Sequence, residues 1–258
     1  MKYFVVDVFT EERFRGNPAG VCLLDEWLPD ERMQSIAFEN NLAETAFLVK
    51  RDDYYDLRWF TPEVEIDLCG HATLGSAYVL MNYTDTTLDK VDFHTKSGVL
   101  TVSRKDGLYA MDFPSRPPVP YNKPELLEEA LGASVVETHK ARDLLILLDN
   151  EKTVRELRPD FLKLARIKDV FGFIVTAKGL DCDFVSRFFA PGAGIPEDPV
   201  TGSSHTTLIP FWSKRLNKNE LLARQLSRRG GTILCKDLGE RVEISGTAVT
   251  HMIGEILP

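Results

Sequence analysis

Cysteine is scarce in this 258-residue chain: there are four, at positions 22, 69, 182 and 235, with no CxxC pair among them. That excludes a disulfide-stapled secreted scaffold and a cysteine-rich zinc site, and points to a reduced, cytoplasmic protein. Histidine is also sparse. The five residues (71, 94, 139, 205 and 251) show no ligand spacing, so no metal is expected. Basic charge is in deficit, with 31 Lys and Arg against 39 Asp and Glu and a net charge of −8, which argues against a general nucleic-acid binder. No apolar run approaches the roughly 18 residues that span a bilayer. The start, Met1-Lys-Tyr-Phe-Val-Val-Asp7, meets an aspartate too early for a signal peptide, so no membrane partner is expected. GxxxxGK(S/T), HExxH and GxSxG are all missing. Gly192-Ala-Gly194 fails as a dinucleotide fingerprint because Pro196 and Glu197 interrupt the turn, and no cofactor is expected.

What is present is a normal globular balance, 43% hydrophobic and 27% charged, and a phrase written twice. Arg58-Trp-Phe60-Thr-Pro62 recurs half the chain later as Arg187-Phe-Phe189-Ala-Pro191. Continued without a gap, the match sets Ile66 against Ile195 and Cys69 against Asp198, each followed by a small-residue turn that opens a helix. This period is too long for a solenoid. It predicts two similar α/β (α+β) halves that meet at one active site. Residues 1–114, joined by a returning segment 248–258, would form one half and 125–247 the other. The Pro-rich stretch 115–124 would link them, since it cannot continue a sheet.

Alternating apolar and polar residues predict strands at Tyr3–Phe9, Glu44–Val49, Asp56–Phe60, Gly98–Ser103 and Leu108–Phe113, and again at Leu144–Leu148, Phe171–Thr176, Phe184–Phe189, Thr232–Cys235 and Val242–Ile244. Helices are expected over Asp30–Phe38, Glu125–Leu131 and Glu220–Leu226, the last closed by the basic run to Arg229. Gly70–Met81 and Thr201–Trp212 are apolar nearly all round, as helices wrapped by sheet are. Pro210 should kink or end the second.

Cys69 and Asp198 each precede a helix start, where unpaired N–H groups and the helix dipole favour an anion. There a thiol pKa would fall, and the amides of Gly70-His71 and Gly202-Ser203 could cradle a substrate carboxylate. The plainer reading makes Cys69 a buried hydrophobe and Asp198 the cap of a helix beginning at Pro199. Glu44, between Leu42, Ala43, Ala46 and Phe47, is either a desolvated carboxylate tuned to pass a proton or a surface residue on an edge strand. His71 at a helix N-terminus would be kept neutral by the dipole. His205, one turn further along its helix, reads as structural.

With those residues in place, the chain resembles the phenazine-biosynthesis-like family, also called PhzF-like. The matching segments are Phe14-Arg-Gly-Asn17-Pro-Ala-Gly-Val21, Asn41-Leu-Ala-Glu44-Thr-Ala-Phe47, Cys69-Gly70-His71-Ala-Thr and Glu197-Asp198-Pro-Val-Thr-Gly202-Ser203. The resemblance implies a diaminopimelate-epimerase-like fold, two pseudo-symmetric halves each curling a mixed sheet around a central helix. It further implies a homodimeric, cofactor-free isomerase acting on a small carboxylate-bearing substrate. Glu44 would shuttle the proton, aided by His71 and Asp198, with Asn17, Cys69, Gly70, Gly202 and Ser203 holding the substrate. Two rivals stay open: a Cys69/Asp198 epimerase or racemase, and a non-catalytic binding module.

Overall fold

The structure is a computed structural model describing residues 1–257. No helix among them is long and apolar enough to cross a membrane. The chain divides into two compact units, Met1–Asp112 with Ser245 onward, and Phe113–Ile244.

The first unit runs β1 (Lys2–Val8), β2 (Asn17–Leu24), α1 (Asp30–Asn40), β3 (Glu44–Lys50), β4 (Tyr55–Phe60), β5 (Glu65–Ile66), α2 (Gly70–Val79), β6 (Lys90–Thr95), β7 (Gly98–Lys105) and β8 (Leu108–Pro114). β2 lies parallel to β3 and β4 parallel to β6, while β1–β2, β3–β4, β4–β5 and β6–β7 are antiparallel. Successive strand residues face opposite sides, and both sides are used. Tyr3, Val5, Cys22 and Phe47 pack with Met33, Ile36 and Ala37 of α1. The alternate residues Val6, Val8 and Ala19 lie against Gly75 of α2, where a Cβ would already be 3.2 Å from Val8. All but two residues of α2, Gly70 and Tyr78, are buried. Its polar side chains Thr73 and Ser76 remain satisfied by donating to the carbonyls of Cys69 and Ala72 one turn back.

The second unit runs β9 (Val119–Pro120), α3 (Leu127–Leu131), β10 (Glu137–Lys140), β11 (Leu144–Leu147), α4 (Glu151–Glu156), α5 (Phe161–Leu164), β12 (Phe173–Lys178), β13 (Phe184–Ala190), β14 (Ile195–Asp198), α6 (Gly202–Leu216), β15 (Glu220–Gln225), β16 (Gly231–Asp237) and β17 (Arg241–Gly246). Its pairings repeat those of the first unit: β10–β11 antiparallel, β11–β12 parallel, β12–β13 and β13–β14 antiparallel, β13–β15 parallel, β15–β16 antiparallel. Leu127, Leu131, Val154 and Leu164 of the short helices fill one face with Leu144, Ile146 and Val175. After β17, β18 (Ala248–Glu255) pairs along the whole of β1.

Two expectations are overturned and a third is narrowed. The stretch expected as the helix Glu220–Leu226 instead holds the strand β15 (Glu220–Gln225), whose burial alternates with Leu221, Ala223 and Gln225 inward. Helix-favouring residues yield here to two flanking strands that need a partner; the basic run therefore follows a strand. The Pro-rich stretch does join a sheet, since Val119 and Pro120 pair with Lys140 and His139. Pro210 does not end α6, which continues to Leu216. The carbonyl that Pro210 leaves without an intrahelical donor, that of Thr206, accepts the N–H of Arg116 at 3.0 Å instead.

Candidate active site

The acid–base groups gather in the first unit. Asn41, in the left-handed conformation (φ 49°), ends α1 and turns the chain so that Glu44 opens β3. His71 is the second residue of α2, and its Nε2 lies 3.1 Å from Glu44 Oε2, with only 7% and 13% of the two side chains exposed. On the other ring nitrogen, Nδ1, stand Asn17 Nδ2 at 3.4 Å and Cys69 Sγ at 3.5 Å. Asn17 is wholly buried at the start of β2. Gly16 delivers it there with φ +62°, in a place where any Cβ would lie 2.1 Å from the Val8 carbonyl oxygen. Glycine is therefore required by both backbone angle and space.

Burial pushes the Cys69 thiol up, and the Glu44 carboxylate pushes it further, so it stands as a protonated thiol near neutral pH. The lowered thiol pKa expected from the helix start is corrected: desolvation outweighs the dipole. His71 is corrected too. Burial alone would lower its pKa, yet its contacts with Cys69 and Glu44 raise it well above the usual value. Glu44, 3.1 Å from Nε2, supplies a counter-charge at a range where an ion contact exceeds a helix-end effect.

The ligand atoms of Glu44, Cys69 and His71 lie within 4.8 Å of one another, a grouping that histidine spacing in the sequence does not reveal. The sulfur faces Nδ1 and the carboxylate faces Nε2. An imidazole offers one nitrogen to an ion, so this geometry suits relayed protons better than three-point chelation.

The second unit carries the remaining candidates on the mirrored elements, and the register shows which residues correspond. Trp59 pairs with Ile66, whereas Phe188 pairs with Asp198. Between β13 and β14 a three-residue turn, Pro191–Ala193, has been inserted. The gapless alignment is thereby corrected: Asp198 answers Ile66, and Cys69 answers Thr201. Both are N-caps, of α2 and α6. The ion pairs agree, since Arg58 grips Glu65 through Nε (2.7 Å) and Nη2 (2.9 Å), and Arg187 grips Glu197 through the same atoms at 2.7 and 3.0 Å. By the same register Ser203 answers His71, and Gly172 answers Glu44. At Gly172 a Cβ would press to 2.4 Å from the Phe188 ring, so the position has no room for a side chain.

Asp198, the last residue of β14 rather than a helix cap, accepts the Thr201 hydroxyl at 2.6 Å. Gln225 ties the pair down, donating to the Asp198 carbonyl (2.8 Å) and accepting the Thr201 N–H (2.9 Å). Gly202 is buried, yet a Cβ there would meet no heavy atom within 4 Å. Ser203 Oγ accepts from Arg142 Nη2 at 3.2 Å, a residue the sequence did not single out. His205 is wholly buried, donates from Nδ1 to the Thr201 carbonyl, and has its pKa lowered to about 4 by burial, which makes it a neutral core residue as expected.

The sequence profile of the family described as phenazine biosynthesis-like protein matches residues 6–254. An uncharacterized isomerase of Pseudomonas aeruginosa is 51% identical over 253 residues, covering 98% of this chain and 97% of the relative. The crystal structure of a PhzF-family phenazine biosynthesis protein from Enterococcus faecalis superposes with a TM-score of 0.98 at 49% identity, covering 100% of this chain and 99% of the other. A hydroxyproline epimerase from Agrobacterium vitis shares the fold, with a TM-score of 0.63 at 11% identity over 98% of this chain and 91% of its own.

Proposed function

The chain belongs to the phenazine biosynthesis-like protein family, and from that membership we propose an isomerase that moves a proton within a small carboxylate-bearing metabolite, using its own side chains. Glu44 takes the proton from carbon and returns it to another atom of the same molecule. His71, an imidazolium at 3.1 Å, supports Glu44 and offers a proton to charge that develops beside it. Cys69 Sγ, accepting from Nδ1, orients the ring, and Asn17 packs beside it. Asp198, Gly202 and Ser203, with Gly70, bind the polar groups of the substrate.

One observation carries this reading: the Glu44–His71–Cys69 cluster has no ionisable counterpart at the matching positions of the second unit. Glu44, His71 and Cys69 answer to Gly172, Ser203 and Thr201 in the second unit. Inversion of a stereocentre by two bases needs an acceptor on each face, whereas a proton shifted along one face needs a single base. A Cys69/Asp198 epimerase is disfavoured on the same ground, because the structural counterpart of Cys69 is Thr201 and not Asp198.

The test is deuterium uptake from D₂O by a panel of small cyclic and amino-acid carboxylates, read by mass. Glu44→Gln should lose about 10²–10⁴-fold in exchange while staying folded, and Cys69→Ala should keep most of it. Wild-type exchange in Glu44→Gln would remove the proton shuttle. Complete loss in Cys69→Ala would favour the epimerase, and no exchange with any bound ligand would favour a binding module.

A further inference from the structure

In the first unit, the segment that opens β2 reaches the second residue of the central helix, placing Asn17 on His71. The parallel registers set Ala19 beside Glu44 and Leu144 beside Phe173, so Pro18 and Ala19 correspond to Arg142 and Asp143. That segment of the second unit makes the mirrored reach, from Arg142 to Ser203. The two reaches start one position apart, since Asn17 answers to Ala141, but end on the corresponding helix residues His71 and Ser203.

The guanidinium is held fast. Asp143, 2% exposed, accepts from Nε at 3.2 Å and from Nη2 at 2.9 Å, and the Phe171 ring lies 4.7 Å beneath the guanidinium carbon. Among the described residues the two N–H groups of Nη1 carry no protein hydrogen bond, and 39% of the side chain is open to solvent. A cation at a helix N-terminus also opposes the helix dipole, and at α6 it adds to the positive end. Asp143 offsets part of that charge but leaves the outer edge of the fork unanswered. An incoming anion would find a pre-ordered planar fork, the Ser203 hydroxyl and the open space beside Gly202 together.

We propose that Arg142, with Ser203, forms a carboxylate-binding site in the second unit and sets its selectivity for carboxylates over their neutral isosteres. This rests on the isomerase reading for the identity of the substrate, but its own readout is binding rather than exchange.

The experiment is calorimetric titration with matched probes: 2-aminobenzoate, L-proline and trans-4-hydroxy-L-proline, each against its carboxamide. Wild type should bind at least one carboxylate about tenfold or more tightly than the amide. Arg142→Gln should erase that preference, and Arg142→Lys should keep part of it. A variant carrying both Arg142→Gln and Asp143→Asn leaves no lone buried charge, so it should recover the fold, checked by circular dichroism, and still lack the preference. A folded Arg142→Gln or double variant that keeps the wild-type preference would overturn the proposal, and so would a wild type that binds no probe carboxylate better than its amide. Glu44→Gln, titrated in parallel, should retain the preference while losing exchange, which separates failure of the anion site from failure of the proton shuttle.

Discussion

At the scale of single residues, the Glu44–His71 contact has a consequence for pH. His71 has its folded-state pKa raised above the ordinary 6.5. The charged ring therefore contributes stability that is fully present below about 6.5 and is lost as pH rises through the raised folded value. The urea midpoint of wild type should exceed that of Glu44→Gln at pH 6, and the gap should narrow in alkaline buffer. Nitrogen-15 shifts of the His71 ring should report an imidazolium at pH 7; a neutral ring there would contradict the assignment. The sequence exposed these residues as candidates but misjudged their charge. Local reasoning from a helix end cannot see that residues 44 and 71 come within 3.1 Å once β3 and α2 pack. Arg142 stayed hidden for the same reason, since its meaning depends on Ser203, distant in the chain.

At the scale of elements, α6 shows how a residue that breaks helices can be accommodated. Proline in a helix interior ordinarily costs about 3 kcal/mol or more, partly through the lost hydrogen bond. Here the Thr206 carbonyl already has the Arg116 N–H. Pro210→Ala should therefore raise stability by less than about 1 kcal/mol, well short of the ordinary penalty; denaturant melts of the pair would check it, and a gain near 3 kcal/mol would show the substitute bond to be ineffective. The β15 segment makes the complementary point. Glu-Leu-Leu-Ala-Arg-Gln favours a helix in isolation, and only the pairing of β13 and β16 on either side makes it a strand.

At the scale of the whole molecule, the duplication is legible because the Arg-x-Phe-x-Pro phrase sits on β4 and β13, the strands that carry the Arg58–Glu65 and Arg187–Glu197 pairs. What hid the true register was Ile195, which by coincidence fills the slot of Ile66 in a gapless alignment while the Pro191–Ala193 turn shifts everything after it. β2 was missed because Pro18 and Gly20 interrupt its pattern. The Arg58–Glu65 pair bears on acid stability. Hydrogen bonds from Arg58 hold Glu65 down to about 2, from an ordinary 4.5. The stability they contribute is present above about 4.5 and is lost as pH falls toward 2. Glu65→Gln should narrow the acid-side difference in thermal melting between pH 5 and pH 3; an unchanged difference would mean that solvent screens the pair.

The aromatic wall at Gly172 makes the specialisation of the two copies hard to reverse. An engineer who wished to install a second carboxylate at the position answering Glu44 could not do so by writing glutamate there alone. Phe188 would have to shrink in the same step, and its loss would open a void in a filled interior.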